Sequence, residues 1–346
     1  MTSTGTRLEL TRSQVLAFRR HVGALDERLP PGPASLRRAA WAGLQDSMPR
    51  AALLSIHARV DATASSAWED PSLVQLWGPR FSVFVVAACD LAVFSLGTMP
   101  DDAKGRQRAE GLAADLAAAI GAERTPHKEA GSRLGIDPNR LRYAAATGTV
   151  LIRWEGARQP TVWIGPAPQM TAREARLELA RRYLRGYGPT TPEAFGRWAG
   201  IGARPASAAF DALAGSLTPV RTPVGEAWLL SEDEAAARAE PGPAAPARLL
   251  PSGDSFFLLQ DADRDLLVPD PARQRELWTS RVWPGALLVN GELAGTWRRA
   301  GAVLTVQSWR PLSGHERDAV EAEAASLPLP ALPSPPVVRW NPDTAA

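Results

Sequence analysis

The sequence predicts an α+β, mainly helical protein of three successive modules followed by a small β-rich C-terminal element. The order helix, helix, turn, helix, hairpin occurs three times between residues 11 and 230. A linker rich in Ala, Glu and Pro follows at residues 231–247, and strand-like segments with glycine at their turns come after it. At 346 residues the chain is too long for one ordinary core, which favours several modules.

The first module is predicted at residues 8–100. Apolar residues recur at helical spacing over residues 11–25, with Thr11 as a plausible cap, and a proline-rich segment then ends this helix. A second helix is expected over residues 35–44, followed by a turn at Gln45 and a third helix over residues 49–60. Residues 73–86 are rich in Trp, Phe and Val and predict a strand or β-ribbon. Helices, a turn and a ribbon in this order are typical of a winged helix.

The same order predicts two further winged-helix modules, at residues 101–168 and 169–232. In the second module we expect a helix over residues 104–120, a helix beginning near Asn139 and a hairpin over residues 149–164. In the third module we expect a capping box from Thr171 to Glu174, a helix to Tyr187, a short helix that Thr191 caps and that ends at Trp198, a helix over 205–217 and a hairpin over 220–230.

The C-terminal element is predicted at residues 246–328. Residues 249–269 and 286–307 are strand-like, and residues 312–327 have the pattern of an amphipathic helix. The Pro-rich tail at residues 329–346 should be loose or extended.

Composition excludes several classes of function. The formal net charge of +2 rules out a polycation, so any nucleic-acid site must come from local clustering of arginine. Cys89 is the only cysteine, which excludes an internal disulfide and a cysteine-based zinc site. The four histidines lack HExxH spacing, and the sequence has no P-loop, GxSxG or GxGxxG motif. We therefore expect neither a metal nor a cofactor.

Membrane insertion is not expected either. The N-terminus has no signal pattern, and the longest apolar run, at residues 83–99, is interrupted by Asp90. These features predict a cytoplasmic protein, and we expect it to be monomeric.

Three polar residues, Gln45, Asp46 and Ser47, interrupt an apolar stretch just before the third predicted helix. The N-terminus of a helix presents unpaired N–H groups, which attract anions or a water with developing negative charge. These residues are therefore candidates for catalysis. The alternative interpretation is that Asp46 or Ser47 merely caps the helix.

Several cations are candidates for contact with DNA. Arg153 and Arg158 lie on or beside the tip of the predicted hairpin at residues 149–164, as expected for a wing that contacts phosphates. Exposed turns are also often rich in arginine for solubility alone. Other candidates, each with a structural alternative, are Arg50 and His57 on a partly apolar helix face, Arg142 in the first turns of its helix, and the pair Arg298 and Arg299 after Trp297.

Four stretches together resemble the landmarks of the AlkZ-like winged-helix DNA glycosylases. In order they are GLQDSMPRAALLSIHARV, YGPTTPEAFGRWAGIG, LLVPDPARQRELW and VNGELAGTWRR, and the resemblance covers about residues 8–328. It implies three tandem winged helices that form a concave surface for double-stranded, possibly damaged DNA. It also implies a bacterial protein that excises bulky alkylated purines, in some members with protection of an antibiotic producer or unhooking of crosslinks.

The resemblance implies that catalysis resides at Gln45, Asp46 and Ser47, yet the motif departs from the family. The family has Gln, an apolar residue, then Gln or Asp, so only Gln45 matches. A second departure is Arg80-Phe81-Ser82-Val83-Phe84, where the family often shows Arg-Gly-Thr-x-His; Arg80, a further candidate for DNA contact, is retained.

The sequence allows two orientations of the Asp46 side chain, and they have different consequences for catalysis. Excision of an N7-alkylated purine needs no general acid, because the base already carries positive charge, but it needs a positioned water and stabilisation of an oxocarbenium-like sugar. If Asp46 points outward with Gln45, it can serve as the base or stabiliser. If it caps the helix or pairs with Arg50, the enzyme is impaired, and a non-catalytic lesion sensor or regulator becomes the second hypothesis. A winged-helix scaffold for protein contacts is the third.

Overall fold

The computed structural model describes residues 7–48, 50–156, 158–329 and 335–341. Three units, each containing a three-stranded sheet and several helices, precede a C-terminal unit with a five-stranded sheet. The chain begins with strand β1 (Leu8–Glu9) and helix α1 (Arg12–Val22). Thr11 and Gln14 form a capping box at the start of α1, which confirms the predicted cap.

The first unit contains the elements that carry the candidate catalytic residues. Their bounds are α2 (Pro33–Ala39), β2 (Leu44–Gln45), α3 (Ala51–His57), β3 (Leu73–Trp77), β4 (Val83–Ala87) and α4 (Leu91–Leu96). The strands are antiparallel in the order β2-β4-β3. The predicted second helix was too long, and Gln45 lies in a strand rather than a turn, because Leu44 and Gln45 pair with Val85 and Phe84. Pro49, the predicted start of α3, lies outside the described residues.

The second and third units repeat this composition. The second contains α5 (Ala103–Ile120), β5 (Thr125–Pro126), α6 (His127–Arg133), a 3₁₀ helix (Pro138–Thr147), β6 (Val150–Arg153) and β7 (Thr161–Ile164). The third contains α7 (Ala172–Tyr187), α8 (Pro192–Ala199), α9 (Ala203–Leu213), β8 (Leu217–Thr222), β9 (Gly225–Leu230) and then α10 (Glu234–Arg238). Both predicted hairpins and the Thr171 capping box are confirmed, and the predicted linker includes the short helix α10.

The N-terminal segment belongs spatially to the third unit. β1 pairs in parallel with β8, where Leu8 lies opposite Val220, so the third sheet has the order β1-β8-β9. Val15 and Phe18 of α1 share an apolar cluster with Val220 and Leu229. Pairing between segments that lie about 200 residues apart is set by tertiary packing, which local periodicity does not report.

The C-terminal unit supplies the other side of the candidate site. Its elements are β10 (Ala247–Leu250), α11 (Ala262–Leu267), α12 (Pro271–Leu277), β11 (Gly285–Val289), β12 (Glu292–Ala300), β13 (Val303–Ser308), α13 (Gly314–Ala325) and β14 (Val337–Trp340). The strands follow sequence order in one sheet. The segment predicted as strand-like over 249–269 is instead mostly turns and α11, and the described part of the tail is extended and pairs in parallel with β13.

Candidate active site

Gln45 and Ser47 lie on the same side of the chain at the end of β2. Because side chains alternate along an extended segment, the residue between them faces the other way. The Asp46 N–H donates to the Val83 carbonyl at 2.7 Å, which keeps the chain extended beyond the last residue of β2. The Gln45 amide nitrogen Nε2 donates to Ser47 Oγ at 3.1 Å, and both residues line an open cleft of about 460 Å³.

Asp46 faces away from this cleft. Its side chain is buried, and its Oδ1 accepts the Ala52 N–H at 3.0 Å, so it caps the first turn of α3. Its Oδ2 accepts from Gln75 Nε2 at 2.7 Å. Burial raises the pKa of Asp46 to about 7, against the opposing effect of these two donors and of the nearby Arg50 and Arg153. Of the two orientations that the sequence allowed, the structure has the one in which Asp46 caps its own helix.

The cleft is cationic and combines residues from distant parts of the chain. Gln45, Ser47 and Met48 come from the first unit, and a loop and a turn of the C-terminal unit lie opposite them. Three guanidinium groups line the cleft, those of Arg80, Arg264 and Arg281. No carboxylate lines it among the residues that the structure describes. The arrangement therefore suits an anionic ligand and lacks an obvious strong base.

The backbone of Gly253 passes close to the Gln45 side chain on the opposite side of the cleft. A Cβ at Gly253 would lie 3.2 Å from Gln45 Cδ and 3.4 Å from its Oε1, and the backbone φ of +76° is one that glycine adopts without strain. The next residue, Asp254, is fully buried and accepts from Arg59 at 2.7 and 2.8 Å and from Ser55 Oγ at 2.6 Å. This buried network fixes the Gly253 loop to α3, so the two sides of the cleft are joined rigidly.

Two further cavities adjoin the cleft. One of about 250 Å³ shares Ser47 with it and lies between the first and second units. The other, of about 330 Å³, shares Met48, Ser252, Val282 and Trp283 with it and extends to Arg298 and Arg299. The cleft, with Gln45 and Ser47, thus adjoins both of the other cavities, and we call the three together the groove.

The structure brings Arg50 and Arg153 together on one tryptophan. Their guanidinium carbons lie 4.2 and 3.9 Å from the ring centre of the buried Trp68, and Arg153 also lies 3.4 Å from Glu69 and 3.6 Å from Glu155. Stacking of this kind is worth about 0.5–2 kcal/mol. The stacking also links the hairpin β6–β7 of the second unit to the first unit. Both arginines therefore have a structural role in addition to any contact with DNA.

The remaining predicted cations are distributed along the groove and beyond it. Arg80 and Arg142 line the cleft and the cavity of about 250 Å³, respectively. Arg158 projects from its hairpin, 83% exposed, with Glu155 at 3.2 Å. Arg298 and Arg299 line the third cavity and donate to the carbonyls of Val282 and Gly301.

His57 packs in the interior. It is buried, Arg28 lies 3.2 Å and Ser326 Oγ 3.0 Å from its Nε2, and burial lowers its pKa to about 3. A neutral, buried ring cannot reach a phosphate, so of its two predicted roles His57 has the structural one. Its helix contacts the C-terminal unit at this point.

Comparison with known proteins places these observations in a family. The family model described as DNA glycosylase AlkZ-like matches residues 38–328. The chain belongs to the AlkZ-like DNA glycosylase family. Among solved structures, the DNA glycosylase AlkZ of Streptomyces sahachiroi is similar over 96% of this chain and 100% of that one, with 20% sequence identity and a TM-score of 0.78. A comparison with curated proteins finds no match.

Several residues around the cleft of this AlkZ-like protein were missed by sequence reasoning. Arg264, Arg281, Gln260 and Ser252 come from turns and a short helix about 200 residues after Gln45, and Phe81 was noted only as a departure from the family pattern. No periodicity or spacing could have linked them. The one available signal was the family motif that includes residues 266–278, which ends just before Arg281.

Within the described ranges, no group of three or more His, Cys, Asp or Glu side chains is arranged to hold a metal ion. No helix in that part of the chain is long and apolar enough to cross a membrane.

Proposed function

We propose that this protein is a DNA glycosylase that hydrolyses the N-glycosidic bond of bulky or N7-alkylated purines in double-stranded DNA. The observation that carries the proposal is the hydrogen-bonded pair Gln45 and Ser47 in a cationic groove, at the positions that the family pattern assigns to catalysis. The arginines along the groove would bind the phosphates on either side of the damaged nucleotide.

The architecture that we propose is three winged-helix modules at residues 8–100, 101–168 and 169–232, with a C-terminal element at 246–328. Three small sheets, each preceded by helices, support this division. The pairing of β1 with β8 adds one refinement, because residues 8–22 then contribute to the third module.

The proposed reaction needs little from the protein. Water attacks the sugar C1′, the bond from C1′ to the purine nitrogen breaks, and its electron pair leaves with the base. An N7-alkylated purine is cationic, so it leaves as a neutral molecule without a general acid, and the attacking water releases one proton to solvent. The Gln45 amide and the Ser47 hydroxyl would orient this water and contact the sugar.

The missing carboxylate restricts the substrates. A general base contributes about 10²–10⁴ in rate, and with Asp46 turned into α3 none of the described residues around the cleft supplies one. We therefore propose that the protein acts on purines whose glycosidic bond is already weakened by alkylation at N7, and that unmodified purines are not substrates.

The same observation supports a second candidate function. A groove that binds DNA and in which Asp46, the carboxylate next to Gln45, caps a helix would also suit a non-enzymatic lesion sensor or regulator. In that case Gln45→Ala would leave cellular protection against alkylation intact.

Release of free base decides between the two functions. Purified protein would be incubated with duplexes containing N7-methylguanine or a bulkier N7 adduct, and free base measured by chromatography, with Gln45→Ala as the matched control. The glycosylase proposal expects release by the wild type and a loss of about 10²-fold or more in the variant. Binding of these duplexes without release would overturn it in favour of the sensor.

A further inference from the structure

The cavity of about 250 Å³ between the first and second units has four aromatic or imidazole rings in its lining. We call it the aromatic pocket. Its ring-bearing residues are Trp77, Phe81, His127 and Trp154, and its polar members are Ser47, Asn139 and Arg142. Ser47 is shared with the cleft, so a nucleotide whose sugar lies at Ser47 has its base within reach of this pocket.

Phe81 is exposed in a backbone conformation that disfavours it. Its φ is +58°, it follows Arg80 at +54°, and its side chain is 39% exposed. The ring meets Tyr143, which is 38% exposed, edge to face at 4.9 Å. A bulky residue in the left-handed region costs free energy, and burial of this ring in a core does not offset the cost. Strain of this kind concentrates at positions that contact ligands.

Two buried polar atoms belonging to the pocket have no hydrogen-bond partner among the residues that the structure describes. They are Nε2 of His127 and Nε of Arg142. Burial lowers the pKa of His127 and so favours the neutral ring, in which Nε2 can accept a hydrogen bond. The Arg142 Nε–H is a donor. Buried polar groups are ordinarily paired, so this unused acceptor and donor point to a polar ligand.

We propose that the aromatic pocket is a nucleobase subsite, which receives the purine of a nucleotide extruded from the duplex at Ser47. Stacking on aromatic rings binds any base, and a purine edge that carries a donor beside an acceptor complements His127 Nε2 and Arg142 Nε–H. The proposal rests on the proposed function in that Gln45 and Ser47 would act on the sugar of the same nucleotide.

A binding experiment with extrahelical bases tests the subsite without requiring catalysis. Affinities of the full chain would be measured for a duplex with one bulged guanine and for the same duplex with an abasic spacer at that position. We expect the wild type to prefer the bulged guanine by about fivefold or more. Phe81→Gly, which removes the ring and relieves the strain, should bring the ratio close to one. His127→Phe, which keeps a ring beside Trp77 but removes the acceptor, should lower the ratio.

Trp228→Ala is the matched control, because Trp228 is a similarly exposed aromatic residue, 37% exposed, that does not line the groove. It should keep the wild-type ratio. Equal affinity of the wild type for both duplexes, or an unchanged ratio in both pocket variants, would overturn the subsite. Base release from N7-methylguanine, measured on the same preparations, is a separate readout. A preference for the bulged guanine without base release would refute the glycosylase proposal and leave the subsite standing.

Discussion

Gln75 donates from Nε2 to the Asp46 carboxylate at 2.7 Å. Through its Oε1 the same side chain accepts the backbone N–H of Trp154 at 2.6 Å, so Asp46 is linked to the hairpin of the second unit. With Oδ1 bound to the Ala52 N–H, the carboxylate joins α3, β3 and the end of β6. A residue that the sequence presents as a catalytic candidate is thus a structural link between two units.

Asp46→Ala should therefore reduce the stability of the protein more than its rate of base release. The substitution leaves the Ala52 N–H without a partner in a buried place, which costs about 1–3 kcal/mol, and Gln75 Nε2 retains only its longer bond to the Trp154 carbonyl at 3.3 Å. We expect a lower melting temperature and, well below it, base release within a few-fold of wild type. Gln45→Ala should show the reverse, with a near-native melting temperature and little base release. Equal loss of base release in both variants at a temperature where both are folded would contradict this assignment.

The stability contributed by Asp46 should depend on pH. Its pKa is about 7 in the folded state and about 3.9 when free, so the folded state binds more protons between these values. The free energy of unfolding that Asp46 contributes therefore falls as pH rises from about 4 to about 7, by at most about 1.4 kcal/mol per pH unit, and is constant above. Denaturant titrations of wild type and Asp46→Asn across this range should show that difference. A constant difference from pH 4 to 8 would refute it.

The contribution of His57 to the free energy of unfolding should depend on pH in the opposite sense. Its pKa is lowered to about 3, against about 6.5 when free, so between these values the unfolded state binds the extra proton. Its contribution to stability is therefore present above pH 6.5 and is lost as the pH falls towards 3. His57→Gln should abolish this dependence, and a variant as acid-sensitive as the wild type would contradict the expectation. Because Asp46 and His57 oppose each other between about pH 4 and 6.5, the wild type should be less pH-dependent than either variant.

Sequence reasoning predicted what depends on local pattern. Thr11, Thr171 and Thr191 cap helices as expected, because a hydroxyl accepting from the N3 backbone is a local interaction. The hairpins over 149–164 and 220–230 were predicted for the same reason, whereas α6 and the short strands β2 and β5 were not predicted.

The parts that failed depend on distant contacts. Gln45 was assigned to a turn because two residues of strand give no periodicity, and its partner Phe84 lies about 40 residues away. The direction of Asp46 depends on the same pairing. The arginines and the glycine opposite Gln45 could not be predicted at all, since only the folded chain brings residues 252–283 to the first unit.

Ser47→Asp should increase base release. Residue 47 shares the cleft with Gln45, so a carboxylate there would face the sugar, in the position where the family pattern has Gln or Asp. A general base or electrostatic stabiliser adds about 10²-fold or more, and single-turnover rates on N7-methylguanine duplexes would measure it. Ser47→Asn, similar in size but uncharged, is the control and should gain far less. A slower rate in Ser47→Asp with unchanged DNA affinity would show that Ser47 does not face the reacting sugar.

Gly253→Ala should impair catalysis through Gln45. The new Cβ would approach Gln45 Cδ to 3.2 Å, and the φ of +76° adds a strain of about 1–2 kcal/mol. Displacement of a positioning group by about 1 Å can cost about 10²-fold in rate. Gly135→Ala is the control, because its φ of +64° is also positive while nothing lies within 4 Å of the new Cβ. We expect similar melting temperatures for the two variants and a slower base release only for Gly253→Ala; equal rates would mean that Gln45 tolerates the contact.

Arg298 and Arg299 should contribute to DNA affinity through phosphates. Both line the groove and donate only to backbone carbonyls in the described part of the chain, so their charge remains available. Each lost phosphate contact lowers the slope of log affinity against log salt by about 0.9. Arg298→Ala combined with Arg299→Ala should therefore flatten the slope by up to about 1.8, in fluorescence anisotropy with an undamaged duplex. Arg133→Ala, which removes an arginine paired with Glu129 at 2.6 Å, is the control and should leave it unchanged.

Arg153→Ala should affect stability more than DNA affinity, unlike the substitutions of Arg298 and Arg299. Its guanidinium is stacked on Trp68 and lies near Glu69 and Glu155, so its removal loses packing between the first and second units. We expect a lower melting temperature and a salt slope that changes by less than one phosphate contact. If Arg153→Ala instead flattened the slope of log affinity against log salt by about 0.9 without loss of stability, the hairpin β6–β7 would be a phosphate-binding wing. The contact with Trp68 would then serve to aim that arginine at DNA, because a stacked guanidinium keeps its outer N–H groups free to donate.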